Sequence, residues 1–236
     1  MIALPIARWM WGDSVIPSVS TLSVVLQCAA VISILWEGWG GRRAFTAFAV
    51  IAILTWAAEW LGSTTGFPFG HYHYTALLQP QLSGVPLLIP LAWLMMLGPS
   101  WAIAHAILGL RLTGTNRLLT MAALTGAAMT AWDLYLDPQM VGWGFWTWDE
   151  SGAYFGIPLV NFAGWFAVAA GVTLAVGPRP VPIRPLLFIY AIVWVFQAIG
   201  LAVFWGQVGP ALFGFVAMGV MLVLALWRSR RSLWTH

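Results

Sequence analysis

Long apolar runs, separated by short polar segments, account for most of the chain. A helix needs about 20 consecutive apolar residues to cross the hydrocarbon layer of a membrane. The third run contains Gly98-Pro99, where a kink or break is expected because proline removes a backbone donor. The pattern predicts an all-α, polytopic membrane bundle that forms a single integral membrane domain over residues 1–236. The seven predicted spans cover residues 18–36, 44–61, 85–110, 118–136, 157–176, 185–205 and 209–227.

The composition supports a membrane protein and excludes several functions. Hydrophobic residues make up 61% of the 236 residues and charged residues 7%, whereas soluble domains carry about 25% charge. The chain contains no lysine, so its net charge of +3 comes from arginine and no retinal Schiff base can form. No basic stripe or nucleic-acid motif is present, so nucleic acid is not an expected partner. The single cysteine, Cys28, cannot form an internal disulfide.

The charged residues are divided between the two ends of the predicted spans. Arginines follow the first, third, fifth and seventh spans, whereas Glu59, Asp133 and Asp137 lie near the opposite ends. Positively charged loops remain on the cytoplasmic side of a membrane. We therefore expect a bacterial cytoplasmic membrane protein with its N-terminus outside, its C-terminus inside and its acidic end on the extracytoplasmic side. The arginines in these loops are Arg42, Arg43, Arg111, Arg117, Arg179, Arg184, Arg228, Arg230 and Arg231.

Two stretches of the chain, residues 44–110 and 118–176, share an order of features. Each has an acid near the end of its first helix, Glu59 or Asp133, followed by an aromatic loop. A Gly-aliphatic-Pro-Leu sequence then starts the next helix, with proline at its usual position near the helix start. The similarity predicts two helical hairpins of like shape that face one cavity. Two unrelated hairpins would produce it nearly as readily.

Three carboxyl groups near the acidic end are the first candidates for chemistry. A carboxylate in hydrocarbon is costly, so Glu59 and Asp133 are expected to face the interior of the bundle. Asp133 and Asp137 are four residues apart and share a helix face, so one can keep a proton while the other is ionised. This arrangement would place an acid and a base in one pocket. Alternatively, Glu59 and Asp133 cap helices or bind loop amides, and Asp137, followed by Pro138, is a solvated helix stop.

The histidines indicate a metal site only weakly. His71 and His73 have the His-x-His spacing that, with carboxylates, can hold zinc or iron. Membrane di-iron enzymes need more histidines than the four of this chain, and His105 and His236 lie elsewhere. We therefore expect no metal, and we assign His71 and His73 to hydrogen bonds with carboxylates or to the scaffold of the loop.

Aromatic residues are dense in the loop after the fourth predicted span. Interfacial belts explain many of the 17 tryptophans of the chain, but residues 143–148 contain more than a belt needs. Because aromatic faces stabilise cations, these rings could shelter a carbocation beside an acid. A loop that lies flat on the membrane surface is the alternative. Asn161 and Gln197 are polar residues within spans, where such side chains most often bridge helices, although Asn161 could also hold a water or a hydroxyl.

Several segments in the central part of the chain form a recognisable set. They read EWLG at 59–62, TGFPFGHYHY at 65–74, LSGVPL at 82–87, WLMM at 93–96, WDLYLDPQM at 132–140, GFWTW at 144–148 and GIPLVNFAGW at 156–165. Together they resemble the membrane family of carotenoid biosynthesis proteins typified by CruF-type carotenoid 1',2'-hydratases. The resemblance is good over residues 55–165 and rests elsewhere on the span pattern.

This resemblance implies the addition of water to the terminal ψ-end double bond of an acyclic or monocyclic carotene, giving a tertiary alcohol without a cofactor. The implied partners are the carotenoid and the lipid bilayer, with other carotenoid biosynthesis enzymes as candidate protein partners. We expect Asp133 to donate the proton that forms a tertiary cation, while Glu59 and Asp137 share the activation of water; donor and base could be exchanged. The residues expected to bind the substrate or its cation are His71, His73, Tyr72, Trp132, Trp146, Trp148, Asn161 and Phe69.

Three other functions fit the same residues. A carotenoid cyclase or isomerase would form the same cation but would lose a proton instead of gaining water. A carrier of carotenoid or lipid would bind pigment without making product. A proton-coupled transporter would use Glu59 and Asp133 for proton movement. Product mass separates hydration, which adds one water, from cyclisation, which leaves the mass unchanged.

Overall fold

The computed structural model describes residues 3–109 and 113–233, with side chains over 4–109 and 113–229. Arg111 and His236, and the side chains of Arg230 and Arg231, lie outside the described residues. A 3-10 turn (Asp13–Val15) precedes α2, and a π-helical segment (Gly200–Phe204) follows α7. The helices are α1 (Ala3–Trp11), α2 (Ile16–Trp39), α3 (Gly41–Thr65), α4 (Leu88–Leu108), α5 (Gly114–Gly142), α6 (Leu159–Val176), α7 (Ile183–Ile199) and α8 (Val208–Leu233), and the strands are β1 (Tyr72–Tyr74), β2 (Gln81–Leu82), β3 (Val85–Pro86) and β4 (Trp146–Trp148).

The helices α2 to α8 coincide with the seven predicted spans. Six of these regions are long and apolar enough to cross a membrane. Helix α5 is the exception, because polar residues such as Asn116, Asp133 and Asp137 interrupt its apolar sequence. The prediction of an all-α membrane bundle is confirmed, and the short helix α1 adds an element that the hydrophobic pattern did not indicate.

Helix α4 forms the centre of the bundle. In its apolar stretch of 18 residues, 83% is buried inside the bundle. The buried share is 22% in the corresponding stretch of Asp13–Trp39, which contains α2. Helix α4 packs against α2, α3, α5, α7 and α8. The approach of α2 is so close that a Cβ added to Gly98 would stand 2.5 Å from a methyl group of Val31. Because neighbouring helices enclose the Gly98-Pro99 step, α4 continues through it without a break, and a kink at this step stays a prediction.

The segments that join α2 to α3 and α6 to α7 meet the last turn of α4 at one end of the bundle. Arg43 donates to the carbonyl oxygen of Gly177 at 3.2 Å, and His105 Nε2 lies 3.1 Å from the carbonyl oxygen of Arg179. These contacts bring together segments that are far apart in the sequence. Of the arginines whose side chains are described, Arg43 and Arg117 therefore lie at this end, as the charge pattern predicted, whereas Arg8 lies elsewhere, against Trp205.

The two aromatic loops meet at the opposite end. Strand β1 pairs antiparallel with β4, with Tyr72 opposite Trp148 and Tyr74 opposite Trp146. This pairing joins the loop that follows α3 to the loop that follows α5. The division of the chain into two similar units stays a prediction, but their loops form one cap over the acidic end.

The outward faces of the peripheral helices carry large apolar side chains. On α8, Val216 is 62% exposed and Val223 is 61% exposed. A continuous surface of this kind is rare on a soluble monomer, whereas it suits the acyl chains of lipids. The bundle is therefore built for a bilayer, and the side of the membrane that each terminus faces stays a prediction.

Candidate active site

A cavity of about 550 Å³ lies in the acidic half of the bundle, beneath the paired loops. Its volume falls in the range of small-molecule sites, about 300–1,000 Å³. Aromatic and aliphatic side chains from α2 to α7 form most of the wall, and the carboxyl groups on it are those of Glu59 and Asp137. An apolar space with a few buried acids is therefore present where the charge pattern predicted it.

The carboxyl group of Glu59 accepts hydrogen bonds from three side chains. Tyr72 and Tyr74 donate to its Oε2 at 2.5 and 2.7 Å, and Trp93 Nε1 donates to its Oε1 at 2.8 Å. Glu59 itself is buried near the end of α3. Gly62 lies one turn later and makes room for the cap, since a Cβ there would stand 2.6 Å from the ring of Phe69. Three donors directed at one carboxyl group favour its ionised form.

Tyr72 and Tyr74 lie in β1, outside the helices that cross the membrane. Burial, followed by the negative charge of Glu59, raises the pKa of both phenols well above the ordinary value. Both tyrosines therefore keep their protons at neutral pH. They act as permanent hydrogen-bond donors that hold the Glu59 carboxylate in place.

Asp133 and Asp137 share one amide donor. Asn161 Nδ2 donates to Oδ2 of Asp133 at 2.9 Å and also to Oδ2 of Asp137. Trp146 Nε1 donates to the other oxygen of Asp137 at 3.2 Å. Because two acids this close cannot both ionise easily, the pair suits a shared proton.

The two aspartates differ in their access to the cavity. Asp133 is fully buried, is not on the cavity wall, and has an Oδ1 without a hydrogen-bond partner among the described residues. A buried oxygen without a partner is less costly on a neutral carboxyl than on a carboxylate, which favours the protonated form of Asp133. Asp137 is on the wall. A proton held by the pair therefore reaches the cavity through Asp137.

Tryptophan rings stand beside these acids. Trp93 and Trp165 stack with their ring centroids 4.1 Å apart, and Trp132 meets Trp165 edge-on at 5.8 Å. All three rings are on the cavity wall. Their faces carry negative charge density, so this part of the cavity suits a positively charged group.

The cavity wall reaches the exposed surface of α2. It includes Leu22 and Leu26, which are 56% and 61% exposed. Gly200 and Trp205, near the end of α7, also line the cavity and are half-buried. An apolar molecule can therefore reach the acids from the lipid-facing surface.

Most of the residues expected to form the site lie on the cavity wall. Those on the wall are Glu59, Phe69, Tyr72, Trp132, Asp137, Trp146, Trp148 and Asn161. Asp133 lies directly behind the wall, against Asn161.

The structure does not bring His71 or His73 to the cavity. Both are exposed, and His73 Nδ1 lies 3.2 Å from the carboxylate of Asp149, while its Nε2 lies 2.9 Å from the hydroxyl oxygen of Thr147. These partners belong to the outer surface of the loop. Within residues 3–109 and 113–233, no cluster of three or more His, Cys, Asp and Glu is placed to hold a metal.

Tyr74, Trp93 and Trp165 contact the acids or the rings of the site, and the sequence reasoning did not assign them to it. Trp93 and Trp165 lie in long apolar runs, where tryptophan is usually read as part of an interfacial belt. Tyr74 follows Tyr72 by two residues, and this alternation places both on one face of a strand. That spacing was the one signal in the sequence that pointed to Tyr74.

The fold and the cavity together define a helical membrane protein with a buried acidic site for an apolar molecule. Residues 19–222 match the family described as carotenoid biosynthesis protein. The match covers most of the chain, so the chain belongs to this family, and the expected resemblance is confirmed. No solved structure matches the chain.

A curated relative supports the same assignment. The chain is 34% identical, over 126 residues, to a bisanhydrobacterioruberin hydratase of Haloarcula japonica. The matched region covers 52% of this chain and 41% of the relative. The chain thus matches less than half of the length of that protein.

Proposed function

We propose that this protein is a carotenoid hydratase, which adds water to a carbon–carbon double bond at one end of a carotenoid. Membership of the carotenoid biosynthesis family supports the substrate class, and the hydratase name of the relative supports the reaction. The observation that carries the proposal is the pair of Asp133 and Asp137, bridged by Asn161, at the wall of an apolar cavity. The pair supplies an acidic proton at a position that an alkene in the cavity can reach.

The first step is protonation of the alkene by the aspartate pair. Asp137 gives the proton to the less substituted carbon of a trisubstituted double bond, and the π electrons form the new C–H bond. The other carbon becomes a tertiary cation, and the pair is left with one more negative charge. Asp133 shares the proton before the transfer, which is a change from the expectation that it donates directly. The access of Asp137 to the cavity motivates this assignment.

The second step is capture of the cation by water. The rings of Trp93, Trp132 and Trp165 stabilise the cation until water attacks it. The oxygen forms its bond to the cationic carbon and then loses a proton to a carboxylate, for which Glu59 is placed on the wall. The product is a tertiary alcohol. Return of this proton to the aspartate pair restores the starting state, so the cycle consumes only water and the alkene.

The proposed substrate is an acyclic or monocyclic carotene with a ψ end, of the lycopene or γ-carotene type, hydrated at its 1',2' bond. The open side of the cavity next to Leu22 and Leu26 suits a long polyene. Its reacting end would lie among the acids and the remainder would extend toward lipid. We further propose that the acidic end of the bundle, which contains the site, faces the extracytoplasmic side of a bacterial cytoplasmic membrane.

The test is expression of the chain in a host that accumulates lycopene or γ-carotene, followed by mass analysis of the pigments. The proposal predicts a product heavier than the substrate by one water. A product of unchanged mass would indicate cyclisation or isomerisation. Bound pigment without any product would indicate a carrier. Either result would reject the hydratase assignment.

A further inference from the structure

Two glutamines form a further polar group on the cavity wall. Gln139 of α5 is 5% exposed and Gln197 of α7 is 1% exposed, and both line the cavity. Gln197 Nε2 donates to Gln139 Oε1 at 3.0 Å. Gln197 lies in the last turn of α7, directly before the π-helical segment Gly200–Phe204. Short π-helical segments within helices are frequent at functional sites.

This glutamine pair keeps unused hydrogen-bonding groups that face the cavity. Among the described residues, the amide nitrogen of Gln139 and the carbonyl oxygen of Gln197 have no protein partner. Some polar atoms of the described residues, such as Asp133 Oδ1 and Trp132 Nε1, have neither a hydrogen-bond partner nor accessible surface. The two glutamine atoms do not belong to this group, so they are accessible from the cavity that both residues line. Exchanging the oxygen and nitrogen of both amides would leave one free donor and one free acceptor in the same places.

A free donor next to a free acceptor matches a hydroxyl group, which accepts one hydrogen bond and donates another. A hydrocarbon offers neither. A carotene without oxygen that filled this part of the cavity would leave two buried amide groups unpaired, which is unfavourable. The chemistry of the pair therefore selects for an oxygen at this position.

The pair adjoins the aspartates along α5, because Gln139 follows Asp137 by two residues in that helix. Gln197 joins it from α7, which packs against α4 and α8 and also touches α2 and α5. Phe196, Gly200 and Trp205 from the same region of the chain line the cavity as well. The pair therefore extends the polar part of the wall from the acids toward α7.

We propose that Gln139 and Gln197 form a subsite for a hydroxyl oxygen, which belongs either to an alcohol group on the carotenoid or to a water molecule. This inference rests on the proposed hydratase function and adds a determinant of substrate choice to it. In the first case the subsite selects carotenoids that already carry oxygen near the reacting end. In the second case it stores the water that the reaction consumes.

The test replaces both glutamines by methionine, which has nearly the same shape and no hydrogen-bonding amide. Because both amides are removed together, neither is left buried without its hydrogen-bond partner, and the fold should be retained. The double variant Gln139→Met, Gln197→Met is compared with the wild type and with Gln207→Met. Gln207 is a third glutamine at this end of the bundle that bonds the carbonyl oxygen of Pro138 and is not on the cavity wall. Thermal unfolding of each purified protein checks that the fold is intact.

Binding is measured in detergent by the change in visible absorption of the pigment. The two ligands are an oxygen-free carotene and its derivative with a hydroxyl near the terminal double bond. If the oxygen belongs to the carotenoid, the wild type should bind the hydroxylated ligand about tenfold more tightly, as one hydrogen bond allows. The double variant should lose this preference, and Gln207→Met should keep it.

If the oxygen belongs to water, neither protein should prefer the hydroxylated ligand. The double variant should then lose about tenfold in kcat at unchanged KM, because the stored water is lost while the apolar contacts remain. The inference is overturned if the double variant keeps both the binding preference and the kcat of the wild type. It is also overturned if the wild type binds both ligands alike and hydrates neither. A wild type that shows the preference but adds no water would support the subsite while rejecting the hydratase assignment.

Discussion

Replacing Asp137 by asparagine should remove the proton that starts the reaction and leave the bundle folded. In the wild type, Asn161 and Trp146 both donate to the carboxyl group of Asp137. The carbonyl oxygen of an asparagine can accept at least one of these hydrogen bonds, and the two side chains have nearly the same volume. The change therefore removes acid chemistry while keeping the packing of α5 against α6.

The size of the expected loss follows from the role of the group. General acid catalysis contributes about 10²–10⁴-fold, which is about 3–5 kcal/mol in the activation barrier. Asp133→Asn should cost less than Asp137→Asn, because Asp133 is behind the wall and acts through its neighbour. Asp149→Asn is the matched control, since Asp149 is an exposed acid that bonds His73 in the outer loop.

The assay is initial-rate hydration of a ψ-end carotene by purified protein in detergent, with thermal unfolding of each variant as a check of folding. The expected order of activity is wild type and Asp149→Asn, then Asp133→Asn, then Asp137→Asn. An Asp137→Asn protein with near wild-type activity would refute the assignment of the donor. A larger loss in Asp133→Asn than in Asp137→Asn would refute the argument from cavity access.

Changes at three further residues probe the base, the rings and the opening. Glu59→Met should lower the free energy of unfolding by about 3 kcal/mol or more, measured by heat or denaturant, because three buried donors lose their acceptor. Glu59→Gln should lower it less, because the amide oxygen of glutamine still accepts hydrogen bonds. Trp165→Leu should lower kcat by about 2–30-fold through the loss of a cation–π contact of about 0.5–2 kcal/mol, and an unchanged kcat would remove this ring from the mechanism. Leu26→Trp should raise KM more than it lowers kcat, because the larger ring narrows the opening toward lipid, and an unchanged KM would place substrate entry elsewhere.

The features that could be predicted from the sequence depend on local spacing. The apolar runs predicted the helices α2 to α8, since each span is defined by consecutive residues. The four-residue spacing of Asp133 and Asp137 predicted one helix face, and both aspartates indeed meet the amide of Asn161. The depth of Glu59 within its span likewise predicted its burial in the bundle.

The features that could not be predicted depend on contacts between distant segments. The donors to Glu59 come from β1 and α4, and nothing near it in the sequence identifies them. The pairing of β1 with β4 joins loops more than 70 residues apart. This pairing also explains why His73 is outside the cavity: side chains alternate along a strand, so a strand that turns Tyr72 and Tyr74 inward turns His73 outward.

The central claim is that water from solvent becomes the new hydroxyl of a carotenoid inside this cavity. The most direct measurement incubates the purified wild-type protein with a ψ-end carotene in water labelled with heavy oxygen and determines the mass of the product. The account predicts a product heavier than the carotene by one labelled water, with the label in the new hydroxyl, and a much slower appearance of it with Asp137→Asn. A product that lacks the label, or one with the mass of the starting carotene, would contradict the account.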